Sequence, residues 1–187
     1  MSTSAERSFA HEGVLRDGTV ARLRAVPYDD PVADHLIEAV QQEYVERYGG
    51  RDAAAVEPAE FLLPAGLFLV AEVGGVPAGS GAWRAIGDGS AGIKMAEIKR
   101  VYVEPGFRRR GLAQLIVDAL ERSAAAAGHE SVVLNTGGNQ PEALALYEQA
   151  GYGPVPAYGI YACAPNAVFL GKPLGSAGGQ EVSTWAS

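Results

Sequence analysis

Cys163 is the only cysteine among 187 residues, so no disulfide can form within the chain. The three histidines, His11, His35 and His129, have no spacing that suggests a metal site or a triad, and Ser131 is not in a nucleophile-elbow context. No metal is therefore expected. Basic side chains are also outnumbered, 15 Lys and Arg against 22 Asp and Glu, for a net charge of −7. That balance repels a polyanion except where arginines concentrate, which argues against nucleic acid as a partner. No uncharged apolar run is long enough to span a bilayer, and the stretch 1–18 lacks an apolar run behind a basic one. A cytoplasmic protein with no membrane partner is the expectation. Fixed-period repeats and low-complexity tracts are missing as well.

What the chain does have is punctuation, with 24 glycines and 11 prolines set between short apolar segments. Its length suits one domain that buries about two thirds of its unfolded surface. Residues 1–18 read as an N-terminal arm, 19–174 as the domain and 175–187 as a flexible tail. A strand is expected over 19–26. Asp30-Pro31 then forms an N-cap and first-turn pair before the stripe Leu36, Ile37, Val40, Tyr44 and Tyr48, which stops at Gly49-Gly50. Strands over 67–73 and 76–86 flank the hairpin signal Gly74-Gly75, with Pro77 marking an edge or a bulge. A third strand over 93–103 leads to a helix over 112–127, a strand over 131–136 and a helix over 140–150. The last carries the capping-box pattern Asn139-x-x-Glu142. Closing strands are expected over 152–161 and 167–174. The β-α-β-α run implies a parallel crossover. The fold class is α/β, a mixed, mostly antiparallel twisted sheet of six to seven strands flanked by helices.

The stretch organising the chain is Glu97 to Ala127, in which an apolar strand passes through a basic loop into a long helix. Leu112, Leu115, Ile116, Ala119, Leu120 and Ala124 follow the helical period. The first N–H groups of such a helix carry about half a positive charge and favour an anion such as a phosphate or pyrophosphate. Gly111 lets the backbone approach a ligand closely, small Ala113 leaves room one step on, and Arg108, Arg109 and Arg110 add charge. The segment Arg108-Arg109-Arg110-Gly111-Leu112-Ala113 resembles the Q/R-x-x-G-x-G/A signature of GCN5-related N-acetyltransferases. The strand before it, the helix after it and the run Asn139 to Tyr152 follow that family's order, over roughly 19–174.

The resemblance implies an acetyl-CoA-dependent N-acetyltransferase that passes an acetyl group directly to the primary amine of a small molecule. It implies that Arg108 to Ala113, with Leu112 at the helix start, hold the pyrophosphate. Val101 and Val103 would pair with the pantetheine arm, and Asn139 would contact that arm. Glu97 would remove the amine proton, a service worth about 10² to 10⁴ in rate, unless it merely pairs with Lys99 on the same strand face or is simply solvated. Tyr147 would protonate the leaving sulfur, unless it is ordinary core. A backbone N–H at a bulge near Val101 would meet the carbonyl's charge. Cys163 reads as a small buried residue, which disfavours a covalent acyl intermediate. Tyr44, Tyr48, Phe61, Trp83 and Arg84 are candidate acceptor-wall residues, each equally able to be core. Arg84 offers a clamp for a carboxylate and so points to a zwitterionic acceptor. Family habit and the irregular closing strands suggest a homodimer. The competing function is a CoA-binding sensor or interaction module without catalysis.

Overall fold

Gly74 and Gly75 take φ of 60° and 80°, as a two-residue hairpin that follows the sheet's own twist requires. Val73 and Val76 pair directly across it, joining β3 (Gly66–Val73) to β4 (Val76–Ile86). The computed structural model describes residues 9–87 and 94–175. Residues 1–8 of the expected arm, nearly all of the expected tail, the turn after Gly87 and the start of the strand expected from residue 93 lie outside the described residues.

The sheet has eight strands in the order β1-β2-β3-β4-β5-β6-β8-β7. They are β1 (Ala10–Val14), β2 (Val20–Ala25), β3, β4, β5 (Met95–Val103), β6 (Ser131–Gly137), β7 (Gly153–Pro154) and β8 (Ala167–Pro173). Among the described strands only β5 and β6 pair in parallel. The expected class holds, with one strand more than expected and one much shorter. Ala10–Val14, inside the stretch read as an arm, pairs with β2 as a hairpin. At the other end the expected strand over 152–161 is cut to two residues, because Pro154 and Pro156 remove donors. In β2 the inward residues are Ala21 and Leu23 while Val20 points outward, so the strand alternates although its largest apolar residues suggested otherwise.

Helices α1 (Pro31–Tyr48) and α2 (Leu112–Ala126) cover opposite faces of the sheet. This explains why β3 is apolar except at Glu72: Leu67, Leu69, Ala71 and Val73 face the α2 cluster, and Phe68 and Val70 the α1 cluster. Asp30 caps α1 by accepting from the Val32 N–H at 2.9 Å, and Gly49 ends it in the left-handed region. On α2 the fully buried Leu112, Ile116 and Leu120 each contribute about 1.5–3 kcal/mol by burial. Helix α3 (Pro141–Gln149) starts one residue later than the capping-box pattern implied, with Gln140 at the cap. Pro141 fits the first helical position, which makes the residue before it the cap. Pro77 lies beside a register shift between β3 and β4, the bulge expected there. Cys163 is exposed rather than buried.

Candidate active site

The parallel ladder between β5 and β6 ends early. Met95, Ala96 and Glu97 pair with Ser131, Val132 and Val133, and beyond them the two strands separate. The separation follows a bulge in β5: Lys99 and Tyr102 pair with Ala82 and Ser80 on β4, so β5 carries one residue more than its partner. Arg100 takes up the excess at φ 58°. A left-handed arginine costs about 1–2 kcal/mol, and its side chain is tied down on several sides. Nη1 donates to Asp52 Oδ2 at 2.5 Å, Nε donates to the Tyr28 hydroxyl at 3.3 Å, and the Arg100 carbonyl accepts from Ser80 Oγ at 3.0 Å. A cavity of about 1530 Å³ occupies the gap and runs on to the start of α2.

At the lower end of β5 the Glu104 N–H returns to Ala78 O on β4. Strand alternation therefore turns the Val103 N–H and C=O the other way, towards the gap. Arg108 Nε donates to that carbonyl at 2.8 Å, and its Nη2 pairs with Glu43 at 2.9 Å. Arg110 is turned away: its Nε donates to Asp17 at 2.6 Å and its Nη2 to Thr19 Oγ1 at 3.0 Å. Arg109, exposed at φ 63°, has no ion pair among the described residues and lines the cavity with Gly111, Leu112 and Ala113. Gly111 has φ 89°, and no side chain caps the first turn of α2. Arg16, a residue sequence reading missed, comes from the β1–β2 turn to the same end of the cavity. Its backbone N–H donates to Arg110 O at 3.0 Å, and its Cγ lies 3.5 Å from where a Cβ on Gly111 would stand. No local signal marks it, because it is distant in sequence from the loop it joins.

Glu97 is 6 % exposed and lines the cavity, but its partner is not Lys99. Arg84, directly opposite on β4, donates from Nε to Glu97 Oε2 at 2.9 Å. The same guanidinium donates to Glu60 Oε2 at 2.9 Å and to Ala55 O at 3.1 Å. Lys99 instead stands 3.5 Å from Asp52. Burial opposes charge on Asp52, yet Lys99, the Ala54 N–H, Arg100 and the Tyr161 hydroxyl together hold its carboxyl well below the usual range.

Tyr147 lines the cavity from α3, and burial, then Tyr44, pushes its hydroxyl well above the ordinary tyrosine value. Burial likewise raises Tyr44 to about 12. Tyr48 crosses Gly137 so closely that a Cβ there would meet its hydroxyl oxygen. Two expected wall residues belong to the core. Phe61 stacks on Tyr28 with centroids 4.5 Å apart, and Trp83 Nε1 donates to Ser123 Oγ at 3.0 Å beneath α2. Alternation along β4 puts Trp83 and Arg84 on opposite faces, so the two cannot wall one pocket. Asn139 is exposed and off the cavity wall, its carbonyl accepting from Arg47 at 3.2 Å, whereas Gln140 is on the wall.

A strand edge opened beside a glycine-started helix, with a buried tyrosine and a carboxylate on one cavity, is an arrangement suited to group transfer from a long, phosphate-bearing donor. The chain belongs to the acetyltransferase (GNAT) family, whose model matches residues 33–152, and it is an acyltransferase enzyme. It is 30 % identical over 151 residues to an IAA acetyltransferase of Azospirillum brasilense, covering 81 % of this chain and 95 % of that protein. Among solved structures it resembles a Klebsiella pneumoniae protein assigned as an acyl-CoA N-acyltransferase, at 27 % identity and TM-score 0.67, over 81 % of this chain and 96 % of that one. It also shares its fold with a GNAT family acetyltransferase of Elizabethkingia anophelis with acetyl-CoA bound, at 15 % identity and TM-score 0.59, over 82 % and 98 % of the two chains. Among the described residues no helix is long and apolar enough to cross a membrane.

Proposed function

We propose that this protein transfers the acetyl group of acetyl-CoA directly to a primary amine of a small molecule. The observation that carries the reading is the open β5 edge beyond Glu97, which ends at the uncapped start of α2. An extended pantetheine arm has the shape to lie along such an edge as an added strand would. Val101 and the Val103 N–H serve that arm; the Val103 carbonyl is already held by Arg108. The pyrophosphate sits on the first N–H groups of α2 at Leu112 and Ala113, beside Gly111, with Arg109 and Arg16 neutralising its charge. Gln140 takes the wall position expected of Asn139.

Bound acetyl-CoA supplies a carbonyl carbon activated by its sulfur. Glu97 takes a proton from the amine, directly or through water, as the C–N bond forms. The Val101 N–H, at the bulge, meets the carbonyl oxygen's growing charge, which is worth about 10² to 10³ in rate. The Tyr147 hydroxyl gives its proton to the sulfur as the C–S bond breaks. One proton leaves the amine and one reaches the thiol, so the step balances. The similarity to an IAA acetyltransferase supports acetyl as the group moved and a small molecule as its recipient.

The test is calorimetric titration with acetyl-CoA, followed by a mass-spectrometric acetylation screen over amino acids, amino-acid amides, polyamines and peptides. Gly111→Glu, at a left-handed position, costs about 1–2 kcal/mol of stability and should abolish acetyl-CoA binding in protein that still unfolds cooperatively. Unchanged affinity would remove the pyrophosphate from this loop.

A further inference from the structure

Two buried polar atoms on the cavity wall have no partner. Asn135 Nδ2, on β6, and the Tyr158 hydroxyl, on the segment between β7 and β8, are both shielded from water without a hydrogen bond among the described residues. Each such group costs about 1–3 kcal/mol, and in a native structure it calls for a reason, such as a functional role or a bound partner. Both lie against Phe169. Asn135 pairs across the sheet with Phe169, and the Tyr158 ring packs edge-on against Phe169 with centroids 5.3 Å apart. Tyr158 belongs to the acceptor end: burial first, and then the nearby Glu97 carboxylate, raise its pKa, although the two side chains do not meet hydrogen-bonding geometry.

We infer that Asn135 and Tyr158 form a subsite for a neutral carbonyl oxygen on the acceptor, so that the preferred substrate is an amine bearing a carboxamide or peptide-like group rather than a free amino acid. This rests on the acetyl-transfer reading of the same cavity. Two N–H or O–H donors call for an oxygen acceptor. A carboxylate would need a free cation, and the cations here are engaged. Arg84 is held by Glu97, Glu60 and Ala55 O, while Arg100 and Lys99 share Asp52. A free carboxylate would also lie beside Glu97. The zwitterionic acceptor expected from Arg84 therefore loses its basis. Ile86, Met95 and Ile160 on the same cavity supply apolar surface for a side chain.

The experiment compares leucinamide, leucine and isopentylamine with wild type, Asn135→Leu and Tyr158→Phe. Binding to the CoA-loaded protein is measured by calorimetry and turnover by thiol release. Wild type should bind leucinamide about tenfold or more tighter than the other two, as a site built for a hydrogen bond discriminates. Both variants should lose that preference, keep their affinity for acetyl-CoA and unfold no earlier than wild type, since each removes an unpaired atom. The variants also control for the lower basicity of the amide's amine, which they leave unchanged. Equal binding of the three ligands would overturn the subsite. So would variants that weaken acetyl-CoA instead, because the two atoms would then serve the donor. Preferential binding of leucinamide without turnover of any amine would keep the subsite and sink the acetyl-transfer reading.

Discussion

Arg108, Arg109 and Arg110 are consecutive yet have three different surroundings. One braces the end of β5 and Glu43, one stands at the cavity with no ion pair among the described residues, and one anchors the β1–β2 turn through Asp17. The free positive charge at the α2 start therefore comes from Arg109 and the distant Arg16. Arg109→Ala and Arg16→Ala should each weaken acetyl-CoA binding by about fivefold, near 1 kcal/mol for an exposed charge contact. The deficit should shrink in high salt, where such contacts are screened. Arg110→Ala should leave the affinity close to wild type; a loss matching that of Arg109→Ala would reverse this assignment. Tyr147 gives a second test at this scale. Burial raises its pKa, so the hydroxyl stays protonated and able to act as an acid beyond the ordinary tyrosine value of about 10. Its ionisation should therefore not set the alkaline limb of kcat. Tyr147→Phe should lower kcat by about 10² or more without changing the affinity for acetyl-CoA, which steady-state rates and calorimetry together resolve.

Between elements, the site depends on what holds the β5 bulge. Asp52 joins the loop after α1 to Arg100 and Lys99 on β5 and to Tyr161 before β8. Asp52→Ala leaves the 4 %-exposed Arg100 without its carboxylate and should cost about 3–5 kcal/mol in denaturant unfolding. The pH dependence has a fixed sign. The Asp52 carboxyl is depressed in the folded state, so its stabilisation is complete above the ordinary aspartate range and is lost as pH falls through that range towards the folded value. Wild type should lose stability on acidification more steeply than Asp52→Ala; parallel acid limbs would show that the carboxylate is not the linked group. Where β4 meets β5, a Cβ on Gly79 would lie 2.6 Å from the Tyr102 carbonyl oxygen. Backbone cannot move away cheaply, so Gly79→Ala should destabilise by about 1–3 kcal/mol. It should also weaken acetyl-CoA binding by shifting Val103.

For the whole molecule, the gap between β5 and β6 is an interruption in the sheet that a bound donor would bridge. Ligand at 100 times its dissociation constant adds about 2.7 kcal/mol, which for a domain of this length raises Tm by about 5–10 °C. Scanning calorimetry with acetyl-CoA and with adenosine 3′,5′-bisphosphate separates two cases. If the arm along β5 matters, the full donor should give the larger shift at equal ligand concentration. Equal shifts would confine recognition to the start of α2.

The elements were legible wherever neighbouring residues carry the cause. The φ demanded at Gly74-Gly75, the cap at Asp30, the helical period of α2 and the glycine at its start are properties of short runs, and each is present in the fold. The wall positions were partly legible too: Glu97, Tyr147, Arg109 and Gly111 do meet on one cavity. Alternation along β4 already separated Trp83 from Arg84, a signal in the sequence that the list of wall residues had not respected. Asn139 and Gln140 differ by a single place, which Pro141 decided. The rest belongs to the tertiary structure. An arginine gives no sign that it will sit at a left-handed bulge, since only Ser80, Asp52 and Tyr28, contributed by three other segments, hold Arg100 there. The same is true of Arg16 reaching Gly111, of Arg84 claiming Glu97, and of the unpaired Asn135 and Tyr158. Each depends on which distant segments the sheet brings within hydrogen-bonding distance, and local propensity carries no information about that.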